Sequence, residues 1–243
     1  MVLDGRVCVI TGATSGIGRA LAGAFAEAGA HVWAIGRSRA RLDALAAELA
    51  GSAERISPVL ADLEQDEGVA VATERILAGG DRIDVLVHSA GAIWLGHLES
   101  APAAELERLY RVNLRAPYLL TQALVPAVKR ARGQIVFVNS SAAIEASADN
   151  TLYATTKQGL RAFADGLRDE VNADGVRVLS VYAGRADTPM QEIVHEHEER
   201  PYRPEFLMRP GDVVHVVLAA LALPASAEVT EVSVRPMMKL PPR

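Results

Sequence analysis

Tyr153 and Lys157 are a pair of side chains whose types and spacing suit proton transfer. They lie four positions apart within Leu152 to Asn172, a stretch with helical periodicity, and a helix would bring both onto one face. A phenol titrates near pH 10, so acid–base work around neutrality requires its pKa to fall well below that value. A neighbouring ammonium favours such a fall. The pair therefore indicates a general acid–base, and an exposed surface pair is the simpler alternative.

Two serines precede this pair at the end of an apolar run. The run Ile135 to Val138 leads through Asn139 into Ser140 and Ser141, which stand 13 and 12 residues before Tyr153. A hydroxyl group there is suited to hydrogen-bond a substrate oxygen while Tyr153 protonates it. Ordinary hydrogen bonding at a strand end, a frequent use of serine, is the alternative.

A glycine-rich turn follows the first apolar run. Val7 to Ile10 leads into Thr11-Gly12-Ala13-Thr14-Ser15-Gly16-Ile17-Gly18, and a helical pattern follows. Glycines at a strand-to-helix junction let backbone N–H groups approach a pyrophosphate, which also meets the positive end of the helix dipole. The strict G-x-G-x-x-G spacing is absent, so a turn that merely tolerates glycine stays open at this point.

The second apolar run ends at Gly36 and Arg37, about 20 residues past the glycines, where an NAD enzyme places an acid for the ribose hydroxyls. A guanidinium there suits a 2′-phosphate, and such a charge-assisted bond is worth about 1.5 to 3 kcal/mol. The sequence therefore favours NADP(H) and leaves NAD(H) open. Solvated loop charges at Arg37 and Arg39 are the alternative.

Alternating strands and helices must position these residues. Predicted strands are Val7 to Ile10, His31 to Ile35, Ile56 to Leu60, Val85 to Val87, Ile135 to Val138, Val176 to Tyr182 and Val229 to Val234. Predicted helices are Gly18 to Ala28, Ala40 to Leu49, Asp66 to Leu77, Ala103 to Lys129, Leu152 to Asn172 and Val213 to Leu223. Mostly continuous apolar strands in βαβ order predict a doubly wound, Rossmann-like α/β fold with a parallel sheet of about seven strands and helices on both faces. We expect one domain over residues 1–243, with an irregular lid at about 184–209.

Composition excludes several classes of function. The chain has 243 residues, half of them hydrophobic, and a formal charge of -5 without a basic stripe, which argues against nucleic acid. The longest apolar run, Val213 to Leu223, is too short for a membrane span, and the N-terminus lacks a signal-peptide pattern, so we expect a cytoplasmic protein. Cys8 is the single cysteine. The run His195 to Glu199 lacks metal-site spacing and is expected to be a solvated lid face.

The spacings T-G-x-x-x-G-x-G at residues 11–18 and Y-x-x-x-K at residues 153–157 resemble those of the short-chain dehydrogenase/reductase family. The resemblance extends over nearly the whole chain in the family's motif order. Departures are His88-Ser89 in place of Asn-Asn, Ala183 in place of Pro, and Ser15 where many NADP-preferring relatives carry a basic residue. We expect His88 to be a packed or hydrogen-bonded substitute rather than a catalyst.

The resemblance implies a role for each matched position. Ser140 orients the substrate oxygen, with Ser141 as the fallback; Tyr153 is the acid–base, Lys157 lowers its pKa and holds ribose, and Asn113 relays protons. The implied cofactor-binding residues are Gly12, Thr14, Ser15, Gly16, Ile17, Gly18, Arg37, Asp62, Leu63, Ser89, Ala90, Gly91, Tyr153, Lys157, Gly184 and Thr188. A helix cap explains Asp62 almost as well as a place beside adenine.

The implied activity is NADP(H)-dependent hydride transfer between nicotinamide and the carbonyl or secondary alcohol of a small, partly apolar substrate. No metal is required. The alternative functions are a non-catalytic NADP(H)-binding sensor or regulatory protein on the same fold and, more weakly, a structural subunit. The family also implies a homo-oligomer, a dimer or tetramer, formed through the helices predicted at Ala103 to Lys129 and Leu152 to Asn172.

Overall fold

The computed structural model describes residues 2–49 and 55–238. Its strands are β1 (Val7–Thr11), β2 (His31–Gly36), β3 (Ile56–Leu60), β4 (Val85–His88), β5 (Gln134–Ser140), β6 (Arg177–Ala183) and β7 (Glu231–Val234). Its α-helices are α1 (Gly16–Glu27), α2 (Arg39–Glu48), α3 (Asp66–Ala78), α4 (Ala103–Tyr110), α5 (Ala116–Ala131), α6 (Thr151–Val171), α7 (Pro189–His197) and α8 (Pro210–Leu221).

All seven strands form one parallel sheet in the order β3-β2-β1-β4-β5-β6-β7. The predicted doubly wound α/β fold is thereby confirmed. The chain order reverses between β1 and β4, which leaves a crevice at the carboxyl ends of these two strands. In open α/β sheets this switch point is where ligands bind.

Helices cover both faces of the sheet, and successive strand residues point to opposite faces. In β1, Cys8 and Ile10 pack with residues of α1 and α8, such as Phe25 and Val217, whereas Val9 packs on the side of α3, α5 and α6. Because both sides of each central strand are buried, the strands read as continuous apolar runs.

The helix predicted from Ala103 to Lys129 is interrupted. A π-helical segment over residues 111–115 separates α4 from α5. Pro117 has no backbone N–H, so the α-helical hydrogen bond to the Asn113 carbonyl cannot form there. The wider π turn also directs the Asn113 side chain inward, where it is fully buried. Periodicity alone does not reveal such a one-residue insertion.

The segment at about 184–209, expected to be irregular, contains the nine-residue helix α7. Thr188 is its N-cap residue and Pro189 occupies its first turn, a position that proline favours because its missing N–H would be unpaired there. The charged residues in and after its last turn obscure its apolar periodicity in the sequence. Among the described residues, no helix combines the length and apolar character that a membrane span requires.

His88, the last residue of β4, is packed in the interior as expected. Its ring stacks on Phe137 with centroids 4.9 Å apart, and Nε2 hydrogen-bonds with Thr121 Oγ1 at 2.9 Å. Nδ1 is buried without a hydrogen-bond partner among the described residues. Burial lowers the pKa of His88 from 6.5 to about 3, so the ring is neutral near pH 7.

Neutral His88 makes the fold sensitive to acid. The unfolded chain takes up the proton first as the pH falls, so this contribution to stability is complete above pH 6.5 and is lost between 6.5 and about 3. At pH 5 the loss is about 2 kcal/mol. We expect His88→Asn to reduce the fall in the free energy of unfolding between pH 7 and pH 5, measured by urea unfolding at pH 7, 6 and 5. The control His215→Asn, at an exposed site, should not reduce it. An equal fall in wild type and His88→Asn would contradict this.

Candidate active site

A cleft of about 920 Å³ opens at the carboxyl ends of the strands. It brings together every candidate site residue from the sequence except Asn113, from the glycine turn after β1 to Tyr153 and Lys157 on α6. Asn113 lies behind the cleft wall, with none of its surface exposed. Residues more than 140 positions apart thus line one continuous cavity.

The glycine turn is shaped by contacts that leave no room for side chains. Gly12 has φ of +66°, and a Cβ added there would lie 2.8 Å from Ala90 Cα. Gly16 has φ of +51°, and its Cβ would lie 2.9 Å from Thr188 Cγ2. A Cβ on Gly18 would collide with the Gly12 carbonyl oxygen. The turn is therefore packed directly against the loops that follow β4 and β6.

Thr11, to which the sequence reasoning gave no role, ties this turn to the β4 loop. Its Oγ1 accepts hydrogen bonds from the backbone N–H groups of Ser89 and Ala90, both at 3.0 Å. The same hydroxyl donates to the Val87 carbonyl at 3.4 Å. This single side chain fixes the spacing between the two loops at the switch point.

The N-terminus of α1 faces the cleft without an internal anion. Ser15 is the N-cap residue but makes no side-chain capping bond, and the first turn contains no acidic residue. Helix N-terminal N–H groups carry partial positive charge and are otherwise unpaired. This end of α1 is suited to bind a phosphate group.

The far end of the cleft, beside β2, is basic. Arg37 is exposed at the cleft edge, and Arg41, in the first turn of α2, also lines the cavity. Arg41 was not predicted from the sequence. Its position three residues after Ser38, at the start of a helix, could have placed it on the same side as the cleft. Gly36 lacks a side chain because a Cβ there would lie 2.5 Å from Thr14 Cγ2.

Asp62 and Leu63 line the cleft after β3. Asp62 Oδ1 accepts a hydrogen bond from the Glu64 N–H at 3.1 Å. Helix α3 begins later, with Gln65 as its N-cap residue. Asp62 therefore shapes the turn before α3 and is not the helix cap that the sequence left as an alternative.

Ser140, Tyr153 and Lys157 meet at the other end of the cleft. Tyr153 and Lys157 are 7% and 4% exposed, and Lys157 Nζ lies 5.8 Å from the Tyr153 ring centroid. Ser140 Oγ accepts from the Ala142 N–H at 3.2 Å, and the same side chain acts to lower the pKa of the Tyr153 phenol. Ser141, the fallback, lines the cavity but is exposed.

Burial controls the electrostatics of this group. It raises the pKa of Tyr153 above its ordinary value, an effect that the Ser140 hydrogen bond opposes. It lowers the pKa of Lys157 to about 8. The Tyr153 shift is opposite to the fall that the sequence reasoning required. Acid–base work near neutrality therefore needs additional positive charge close to the phenol.

Two asparagines hold α6 in place. Asn139 donates from Nδ2 to the Lys157 carbonyl at 3.1 Å, and its Oδ1 accepts from the Ser140 N–H at 2.8 Å. Asn113 Oδ1 accepts from the Ala92 N–H at 2.8 Å, and Nδ2 donates to the Ala92 carbonyl and to Thr156 Oγ1, both at 3.0 Å. Both Asn113 amide hydrogens are thus committed, so a proton relay here would use its main chain.

The remaining wall is partly apolar. Ile93, Met190, Ile193 and Val194 contribute apolar side chains that line the cleft. Four nearby apolar residues do not line it: Trp94, Ile144, Phe206 and Leu207. Trp94 instead folds back over Gly96, whose added Cβ would lie 2.7 Å from the indole ring.

The His195 to Glu199 run does not form a metal site. His195 is buried, and its Nδ1 hydrogen-bonds with the Gln191 carbonyl at 2.9 Å, whereas His197 is exposed. Among the described residues, no group of three or more His, Cys, Asp or Glu side chains is placed to bind a metal ion.

The fold and the cleft define a dinucleotide-binding α/β protein. A family model described as short chain dehydrogenase matches residues 6–199. An uncharacterized oxidoreductase of Staphylococcus aureus strain USA300 is 29% identical over 239 residues, 97% of this chain and 99% of that protein. The chain belongs to the short-chain dehydrogenase/reductase family of oxidoreductases, so the resemblance in the sequence is confirmed.

Two solved structures are similar over almost the whole chain. A metagenomic short-chain oxidoreductase in complex with NADP is 31% identical, with a TM-score of 0.83 and coverage of 98% of this chain and 100% of that one. An alcohol dehydrogenase from the archaeon Thermococcus sibiricus, complexed with 5-hydroxy-NADP, is 27% identical, with a TM-score of 0.88 and coverage of 99% and 100%.

The close approach at Gly18 predicts a large effect of a small substitution. Gly18→Ala places a methyl group against the Gly12 carbonyl oxygen, and we expect it to destabilise the protein by about 1 to 3 kcal/mol. Gly23→Ala on the same helix is the control, because its Cβ meets only Leu49 Cδ2 at 3.9 Å and alanine favours helices. Thermal denaturation of both variants measures the difference. Equal stability of the two would contradict the close-packed turn.

Proposed function

We propose that this protein is an NADP(H)-dependent oxidoreductase that transfers a hydride between nicotinamide and the carbonyl or secondary alcohol carbon of a small, partly apolar substrate. The observation that carries the proposal is the single cleft that joins the glycine turn to Ser140, Tyr153 and Lys157. The glycine cradle, which added Cβ atoms would fill, and the uncapped N-terminus of α1 fit a pyrophosphate.

The proposed cofactor contacts follow the cleft from end to end. Arg37 and Arg41 would hold the 2′-phosphate, and the turn over Gly12–Gly18 with the start of α1 would hold the pyrophosphate. Asp62, Leu63 and Ser89 to Gly91 would lie along the adenosine half, and Gly184 and Thr188 beside the nicotinamide. When bound, the nicotinamide ring supplies or accepts the hydride.

The chain's own residues would handle the oxygen and its proton. Ser140 would orient the substrate oxygen, and Tyr153 would donate its hydroxyl proton to that oxygen during reduction or take it back during oxidation. Lys157 would hold ribose and, when protonated, lower the pKa of Tyr153. Asn113 would support resupply of the proton through its main-chain carbonyl, which Pro117 leaves without an α-helical donor.

The proposal includes a homo-oligomer, a dimer or tetramer, and a cytoplasmic setting. Exposed apolar side chains at Leu106 and Tyr110 on α4 and at Tyr118 on α5 support an oligomer contact on these helices. Such surfaces on a monomer would otherwise meet water.

The catalytic assignment is tested with Tyr153→Phe. General acid–base catalysis contributes about 10²- to 10⁴-fold, so we expect kcat/KM to fall by at least about a hundredfold while NADPH affinity changes little. NADPH absorbance with a panel of ketones and aldehydes measures turnover, and fluorescence titration measures binding. Tyr110→Phe is the control, because Tyr110 lies outside the cleft and the substitution keeps the aromatic ring of the proposed oligomer contact. Tight NADPH binding without turnover by wild type on any substrate would favour the sensor alternative.

The cofactor preference is tested with Arg37→Ala and Arg41→Ala. Loss of a charge-assisted bond to the 2′-phosphate should reduce the ratio of NADPH to NADH affinity by about ten- to a hundredfold for Arg37→Ala. Arg39→Ala is the matched control, because Arg39 is exposed and does not line the cleft. An unchanged ratio in Arg37→Ala would remove the basis for the NADP(H) preference.

A further inference from the structure

Arg185 and Glu198 form an ion pair at the substrate end of the cleft, and both side chains line the cavity. Arg185 Nη1 donates to Glu198 Oε2 at 2.8 Å, and Nη2 donates to Oε1, so the guanidinium and the carboxylate meet through two parallel bonds. The two side chains are 37% and 24% exposed. This is the geometry with which arginine recognises a carboxylate on a ligand.

Arg185 lies at the same edge of the sheet as Ser140. Ala183, the last residue of β6, is in register with Ser140, the last residue of β5. Arg185 follows two residues later, beyond Gly184. Its guanidinium therefore extends from the same sheet edge that carries the proposed substrate-orienting serine.

The lid around α7 is also attached by bonds other than this pair. The Asp187 N–H donates to the Met208 carbonyl at 2.8 Å, and the Met208 N–H donates to the Arg185 carbonyl at 3.0 Å. The Tyr202 hydroxyl donates to Asp187 Oδ1 at 2.5 Å. The two ends of the lid are thus joined by backbone bonds and a side-chain tie that do not involve Glu198.

Glu198 occupies a position where a carboxylate is unfavourable for the helix alone. It is the C-cap residue of α7, at the negative end of the helix dipole, where cations stabilise a helix and anions do not. Burial by itself raises the pKa of Glu198, but the Arg185 guanidinium, with smaller contributions from Arg200 and His195, holds the pKa below its ordinary value. Arg185 is the cation that contributes most to stabilising this carboxylate.

Apart from the buried Lys157, the other charges at this end give an anionic substrate little attraction. Arg108 also lines the cleft, but its guanidinium donates to Glu105 Oε2 at 2.6 Å and to the Ile93 carbonyl at 3.0 Å. Glu145 and Asp149 add exposed carboxylates to the mouth. Among the described residues, the two arginines that line the substrate end of the cleft, Arg108 and Arg185, are therefore already bound to carboxylates of this chain.

We propose that Glu198 masks the Arg185 guanidinium and thereby makes the cleft select neutral carbonyl substrates over those that carry a carboxylate. This inference rests on the proposed reductase function and narrows its substrate class to uncharged ketones and aldehydes. Glu198 is a specificity-determining residue that acts through Arg185, and a carboxylate substrate must displace it.

The test compares wild type with Glu198→Gln on 4-acetylbenzamide and 4-acetylbenzoate, ketones of nearly equal shape that differ by one negative charge. We expect Glu198→Gln to raise kcat/KM for the benzoate relative to the benzamide by roughly tenfold, the lower end of what a charge-assisted hydrogen bond provides. The second substitution Arg185→Met, added to Glu198→Gln, should abolish that gain. An equal change on both ketones would indicate a purely structural role and overturn the proposal.

Two matched charge removals serve as controls. Glu196→Gln lies on α7 outside the cleft wall, and Glu145→Gln lies in the wall. We expect both to leave the ratio of kcat/KM for the benzoate to kcat/KM for the benzamide within about twofold of wild type. This is well below the roughly tenfold gain expected when Glu198→Gln exposes Arg185. A gain in Glu145→Gln as large as in Glu198→Gln would mean a general field effect and would also overturn the masking role.

A binding measurement separates failure of this inference from failure of the proposed reaction. If wild type reduces no carbonyl compound in the panel, the proposed reaction is wrong. Thermal denaturation with 4-acetylbenzoate or 4-acetylbenzamide then still tests whether Glu198 masks Arg185. We expect 4-acetylbenzoate to raise the Tm of Glu198→Gln but not of wild type, with no such difference for 4-acetylbenzamide. Equal Tm shifts in the two proteins would overturn the inference.

Discussion

The burial of the Lys157 ammonium beside the Tyr153 phenol is the constraint on which the rest of the site depends. An ammonium taken from water favours its neutral form, which is why the pKa of Lys157 falls to about 8, and the same burial raises the pKa of Tyr153. A structure tolerates such a pair only if the surrounding groups hold it rigidly. Asn139 does so by binding the Lys157 carbonyl, and Asn113 does so by binding Thr156, the residue before Lys157.

The glycine turn meets the same requirement for closeness by a different means. At Tyr153 and Lys157, side chains are brought together by a helix. At Gly12 and Gly18 the absence of a side chain lets backbone segments approach each other, and at Gly16 it leaves room for the Thr188 side chain. Thr11 then sets the distance between the turn and the β4 loop through its two accepted hydrogen bonds. The switch point between β1 and β4 is therefore filled by main chain, and the cleft begins directly above it.

Local patterns were sufficient for the fold and for most of the cleft, because continuous apolar strands and the spacing of Tyr153 and Lys157 are properties of neighbouring residues. What the sequence could not supply depends on long-range contacts. Pro117 accounts for the break in the α-helix, but the bonds of Asn113 to Ala92, 21 positions away, are not readable from periodicity, and the Arg185–Glu198 pair depends on how α7 folds back. The direction of the Tyr153 pKa shift also depends on how deeply the phenol is buried, which residue spacing does not encode.

Charge in this protein is arranged locally rather than globally. With a formal charge of -5, the chain as a whole does not attract an anionic cofactor, so the proposed phosphate contacts are local, at the N-terminus of α1 and at Arg37 and Arg41. At the opposite end, Arg108 and Arg185 are neutralised by Glu105 and Glu198. The cleft thus presents accessible positive charge where a dinucleotide would place its phosphates and compensated charge where the substrate would enter. On the proposed function, one cavity would therefore bind a strongly anionic cofactor without also favouring anionic substrates.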